Sequence, residues 1–83
     1  MATTQKDIEG WLKEAKKEGA THVIIVCDTF DHEDYPVSVM PNEDVKEVMK
    51  QYDNKDMQRL MEVYSLRKPL KPQLQKFRAF ELD

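Results

Sequence analysis

Four carboxylates and an imidazole fall within seven consecutive residues of this 83-residue chain: Asp28, Thr29, Phe30, Asp31, His32, Glu33 and Asp34. Cys27, the single cysteine, precedes them, and Tyr35 and Pro36 follow. Carboxylate oxygens suit hard cations such as Mg²⁺ or Ca²⁺, and His32 would add a nitrogen for Zn²⁺ or Mn²⁺. The spacing does not match such a site. Asp28, Asp31 and Asp34 stand three apart rather than at alternate positions, and Glu33 occupies the sixth place, where a calcium loop needs glycine. Structural zinc draws on several Cys and His, of which the chain holds one and two. No metal and no cofactor is therefore assigned. The segment is expected to be a solvated hairpin loop in which Asp side chains close local turns.

Nucleophilic chemistry fares no better. Cys27 and His32 are five residues apart in a hairpin, no third group is placed to orient the pair, and Cys27 is expected as a small buried apolar residue. Asp28 follows a buried strand, a position from which phosphoryl-transfer proteins project an acid, but the only glycines are Gly10 and Gly19. Neither a dinucleotide fingerprint nor a P-loop can be written with them, and Asp28 is expected to cap a turn. No catalytic residue is assigned. Phe30 and Tyr35 flank the acidic loop and are the candidates for an exposed contact, whereas Trp11, Tyr52 and Tyr64 belong to core stripes. The methionines Met40, Met49, Met57 and Met61 offer a plastic surface for self-association. His22 is expected as a partly exposed strand residue.

Charge is unevenly spread. The net charge is −3 and the sequence pI about 5.4, which argues against general nucleic-acid binding. Residues 28–34 carry four acids and no base, while residues 65–83 carry five bases and two acids. The candidate ligand or partner residues are accordingly Asp28, Phe30, Asp31, His32, Asp34 and Tyr35 in the loop, with Arg67 and Lys68 from the basic tail that also holds Lys71, Lys76 and Arg78. In an oligomer, loop and tail of neighbouring copies can meet.

The elements that position these groups are read from periodicity. Ile8, Trp11, Leu12 and Ala15 recur at helical spacing; so do Val45, Val48, Met49 and Tyr52, and so do Met57, Leu60, Met61 and Tyr64. Three amphipathic helices are expected. The first spans about residues 4–18, with Thr4 and Asp7 forming a shortened capping box and Gly19 as its stop. Asn42 is the expected cap of the second, and Asn54 marks the turn into the third. Residues 21–27 are β-branched and short, hence a strand buried on both faces or nearly so. Tyr35, Val37 and Val39 alternate along a second strand, which Pro36 confines to a sheet edge or makes start there. The short connection makes the two strands an antiparallel hairpin. Beyond Pro69, either a short helix from Pro72 lined by Leu70, Leu74 and Phe77, or a third strand over 76–82, would order the tail.

The expectation is one α+β domain over residues 1–83, element order αββαα, with a core over 4–66 and a basic tail over 67–83. The longest apolar run, residues 23–27, is far shorter than the roughly 18–20 residues of a membrane span. The N-terminus shows neither a secretory nor a transit pattern, and one unpaired cysteine fits a reducing cytoplasm.

The block Gly19-Ala-Thr-His-Val-Ile-Ile-Val-Cys-Asp-Thr-Phe-Asp-His-Glu-Asp-Tyr-Pro-Val37, with Asn54-Lys-Asp-Met-Gln-Arg-Leu-Met-Glu-Val-Tyr-Ser-Leu66 behind it, resembles small accessory proteins of tailed bacteriophages and prophages, a group with no assigned activity. The likeness covers about residues 8–66 and carries over no functional residue. It implies a setting in the host bacterial cytoplasm, among inhibitors and ligand-sequestering oligomers of the anti-defence type. The resulting expectation is a non-enzymatic binding or inhibitor module. It would be a homo-oligomer that engages a host protein, or holds a small nucleotide between subunits through Arg and Lys side chains and Phe30 or Tyr35. The alternatives are a divalent-metal-dependent hydrolase or phosphotransfer enzyme using the acidic loop, and a nucleic-acid-binding protein acting through the tail.

Overall fold

The first helix is bounded by the signals its sequence carries. In the computed structural model, which describes residues 4–53, 57–75 and 79–82, α1 runs over Gln5–Lys17. The Thr4 hydroxyl accepts from the Asp7 amide and an Asp7 oxygen accepts from the Thr4 amide, both at 3.1 Å. At the other end Gly19 takes φ 89°. Ala20 N–H then reaches the Ala15 carbonyl and Gly19 N–H the Lys16 carbonyl, which satisfies two orphan acceptors as a Schellman motif does.

Strands β1 (His22–Asp28) and β2 (Glu33–Val39) form the expected antiparallel hairpin. Helix α2 (Val45–Tyr52) follows, then β3 (Gln58–Ser65) and the short α3 (Leu70–Leu74). The sheet order is β2-β1-β3, antiparallel throughout. The class is α+β, with helices on both faces of the sheet. Val23 and Ile25 pack with Ile8, Leu12 and Ala15 of α1, while Ile24 and Val26 pack with Val45 and Val48 of α2. Strand β1 is therefore buried on both faces, as its unbroken apolar run requires. Tyr35, Val37 and Val39 share the α2 side. The sheet order puts β2 at an edge, where Pro36 can lack a donor.

The fifth element departs from the expected helix. Residues 58–65 are strand β3, and a register shift explains the misleading spacing. Ile25 pairs with Glu62 while Val26 pairs with Leu60, so Met61 is an extra residue in a β-bulge. One inserted residue converts a period of two into a step of three. Leu60 and Val63 then face α2, and Met61 and Tyr64 face α1, which imitates one turn of a helix.

Two other boundaries move. The cap of α2 is Asp44, whose Oδ1 accepts from the Lys46 amide at 3.0 Å, rather than Asn42. Helix α3 begins at Leu70, with Pro72 in the first turn, where a missing N–H breaks no intrahelical bond. Leu70 and Leu74 pack on the α1 side. The tail then adds a single parallel bridge between Phe80 and Val63, with Val63 N–H donating to the Ala79 carbonyl at 2.9 Å and Glu81 N–H to the Val63 carbonyl at 3.0 Å. Asn54, Lys76, Phe77 and Arg78 lie outside the described residues. Among the described residues, no helix is long and apolar enough to cross a membrane.

Candidate functional site: the hairpin tip

Pairing of β1 with β2 continues to Asp28 opposite Glu33, leaving residues 29–32 as the connection. Its acids serve the backbone. Asp28 Oδ1 accepts from the Phe30 amide at 2.8 Å and Asp31 Oδ1 from the Glu33 amide at 3.1 Å. His32 N–H reaches the Asp28 carbonyl at 2.7 Å, and His32 itself closes the loop in the left-handed region at φ 60°. These are the local turn bonds that Asp side chains favour. Asp28 and Asp31 each commit an oxygen to this work. Among the described residues, no three His, Cys, Asp or Glu side chains come together to hold a metal.

A second tie was not apparent from the sequence. Thr29 donates through both its amide and its hydroxyl to the Met57 carbonyl, at 2.7 and 2.8 Å, and Met57 sits at φ 62°. The tip is thereby fastened to the start of β3. Phe30 and Met57, 76% and 58% exposed, become the two most exposed large apolar side chains among the described residues. Met57 thus leaves the core stripe expected of it, whereas Met40, Met49 and Met61 lie partly buried against the two cores. No sequence signal separated Met57 from the other three, because its position depends on the strand assignment of β3.

Beneath the tip, Cys27 lies between Asp34 of β2 and Arg59 of β3, its partners in register. Its Sγ contacts the Asp28 carbonyl at 3.7 Å. Partial burial pushes the thiol pKa up, and the hydrogen bond that the thiol donates to the Asp34 carboxylate and the charges of Asp34, Asp28 and Asp31 push it further. A thiol held protonated in this way is a poor nucleophile. Tyr35 is half-buried on the α2 side rather than exposed. Its hydroxyl accepts from Gln58 Nε2 at 2.5 Å and is pushed up by burial, then by Tyr52 and Asp28. His22 is also more buried than expected, at 4% exposure, with its Nδ1 2.9 Å from the Thr21 hydroxyl.

Arg67 and Lys68 do not join this cluster. Ser65 pairs with His22 and Gln58 with Asp28, so the 67–69 turn lies at the opposite end of the sheet, roughly 20 Å from the tip at about 3.3 Å per strand residue. There the buried Gln73 sets the backbone. Its Oε1 accepts from the Ser65 amide at 2.7 Å, and its Nε2 donates to the Ser65 and Pro69 carbonyls at 2.8 and 2.9 Å. Lys68 Nζ lies 3.9 Å from Glu81. A shallow depression of about 260 Å³ is lined by Lys46, Met49 and Lys50 of α2 and by Asp53 at its C-cap.

Comparison of the chain with family models, with curated protein sequences and with solved structures finds no match.

Proposed function

We propose that this protein is a non-enzymatic binding module whose docking surface is the hairpin tip, acting as an oligomer in a bacterial cytoplasm as an accessory or inhibitor of the phage anti-defence type. One observation carries the reading. Two large apolar side chains, Phe30 and Met57, are held out of the core by bonds that fix their backbones, and Asp28, Asp31 and Glu33 belong to the same tip. Apolar groups held in water by a preorganised loop have the character of a contact waiting for a partner. Metal-dependent hydrolysis draws less support, since Asp28 and Asp31 are engaged by loop amides.

The test is capture from bacterial extract by immobilised protein, read by proteomics and small-molecule mass spectrometry. The reading expects a partner retained by the wild type and lost by Phe30→Ser combined with Met57→Ser, with circular dichroism showing both proteins folded. Equal recovery by the two would overturn it.

A further inference from the structure

We infer that the occupant of the hairpin tip is a second copy of this chain, docking head to tail through its exposed 67–69 turn; the inference rests on the reading of the tip as a docking surface. Charge narrows the choice. A symmetric tip-to-tip contact would set Asp28, Asp31, Glu33 and Asp34 against themselves, so the tip calls for a cationic surface. The 67–71 turn at the other end of the same sheet presents one: Arg67 and Lys71 are exposed, as are Lys68, whose Nζ lies 3.9 Å from Glu81, and the Pro69 ring. Phe30 fits there, with its face against the Arg67 guanidinium and the Pro69 ring, a pairing available when the cation lies within about 6 Å of the ring centre.

Both surfaces are already ordered. Asp28, Asp31 and Thr29 hold the tip, and Gln73 holds the turn by the Ser65 and Pro69 carbonyls, so docking freezes little backbone. The two surfaces lie at opposite ends of β1. One chain cannot satisfy itself, and each copy offers one of each. Such a heterologous contact propagates into short chains or closes into a ring. A contact between two turns is small, and the association is weak.

Sedimentation equilibrium on the full chain tests this. Mass should rise with concentration at low salt and return to the monomer in about 1 M salt, where the screening length is about 3 Å. Asp31→Lys with Glu33→Lys should weaken association at least about tenfold, and so should Arg67→Glu with Lys71→Glu. Mixing the two variants should restore pairing, because the unaltered acidic tip of the second then meets the unaltered basic turn of the first. Circular dichroism of each variant checks that the fold is intact. A wild type that stays monomeric, association that survives high salt and both reversals, or a mixture that fails to reassemble would each sink the proposal. If the wild type is monomeric but still captures an extract partner through Phe30, the head-to-tail contact and the oligomer fall while the tip stands as a docking surface; if Phe30→Ser with Met57→Ser changes neither, both fall.

Discussion

An acidic hairpin tip at one end of the sheet and a basic turn at the other are built by opposite means. The acidic tip is held chiefly by its own residues: Asp28 and Asp31 bond amides two positions on, and Thr29 reaches outside, to Met57. The basic turn is held by a side chain it does not contain. Gln73, 2% exposed, enters from α3 and occupies both the amide and the carbonyl of Ser65 as a neighbouring strand would. A surface loop can keep its shape through short-range bonds that water competes for, whereas a turn over the core depends on a buried polar group whose partners have no substitute.

The sharpest way to break this comparison is to remove the buried amide. Gln73→Leu leaves the Ser65 amide and the Ser65 and Pro69 carbonyls short of their partner, with an expected loss of about 2–4 kcal/mol in urea denaturation. A loss below about 1 kcal/mol would mean that the turn is held by something else. The buried side also has a pH signature. Burial and the hydrogen bond to Glu62, at 2.7 Å, hold the Tyr64 hydroxyl protonated well above the usual tyrosine range. The unfolded chain loses that proton near pH 10, so above it the folded state binds more protons and stability falls as pH rises. The slope approaches about 1.4 kcal/mol per pH unit. Tyr64→Phe should flatten the alkaline limb, and Tyr35, shifted the same way, should leave a residue of it.

At the tip the effects are smaller. Asp28→Ala removes the acceptor of the Phe30 amide and should lower stability by about 1 kcal/mol, while Asp28→Asn keeps an acceptor and should sit near the wild type. Asp34→Asn removes the leading charge on Cys27 and should lower its thiol pKa, accelerating alkylation near pH 8 by about two- to fivefold in a stopped-time labelling assay. Last, Asp28→Ala and Gln73→Leu should add to within about 0.5 kcal/mol, because the sites lie far apart with no shared partner. A larger coupling energy would show that the two ends are linked through β1.

Residues whose bonds are short in sequence were readable before any fold was known. Thr4 and Asp7 cap α1, Gly19 ends it, and Asp28 and Asp31 close the turns expected of them. Phe30 is exposed, as its place in the acidic loop implies, whereas Tyr35 is half-buried because it packs with the α2 cluster and bonds Gln58, neither of which is near it in sequence. Nothing in the sequence separates Met57 from Met40, Met49 and Met61, and Gln73 carries no signal. Each acquires its role from a segment that is distant in sequence or from a strand pairing that periodicity alone does not reveal.

What the sequence determined by itself was the α+β class, the bounds of α1, the two-sided burial of β1, the hairpin and the separation of acidic loop from basic tail. These follow from bonds spanning three or four residues and from the arithmetic of apolar and charged positions. Tertiary structure decided the rest. Residues 58–65 are a strand because β1 offers them a second edge, and the bulge at Met61 hides that identity behind a step of three. The same pairing places Arg67 and Lys68 at the far end of the sheet from Asp28, since antiparallel β3 carries the chain back along β1. Only contacts between distant segments fix such placements, and periodicity within a segment cannot encode them.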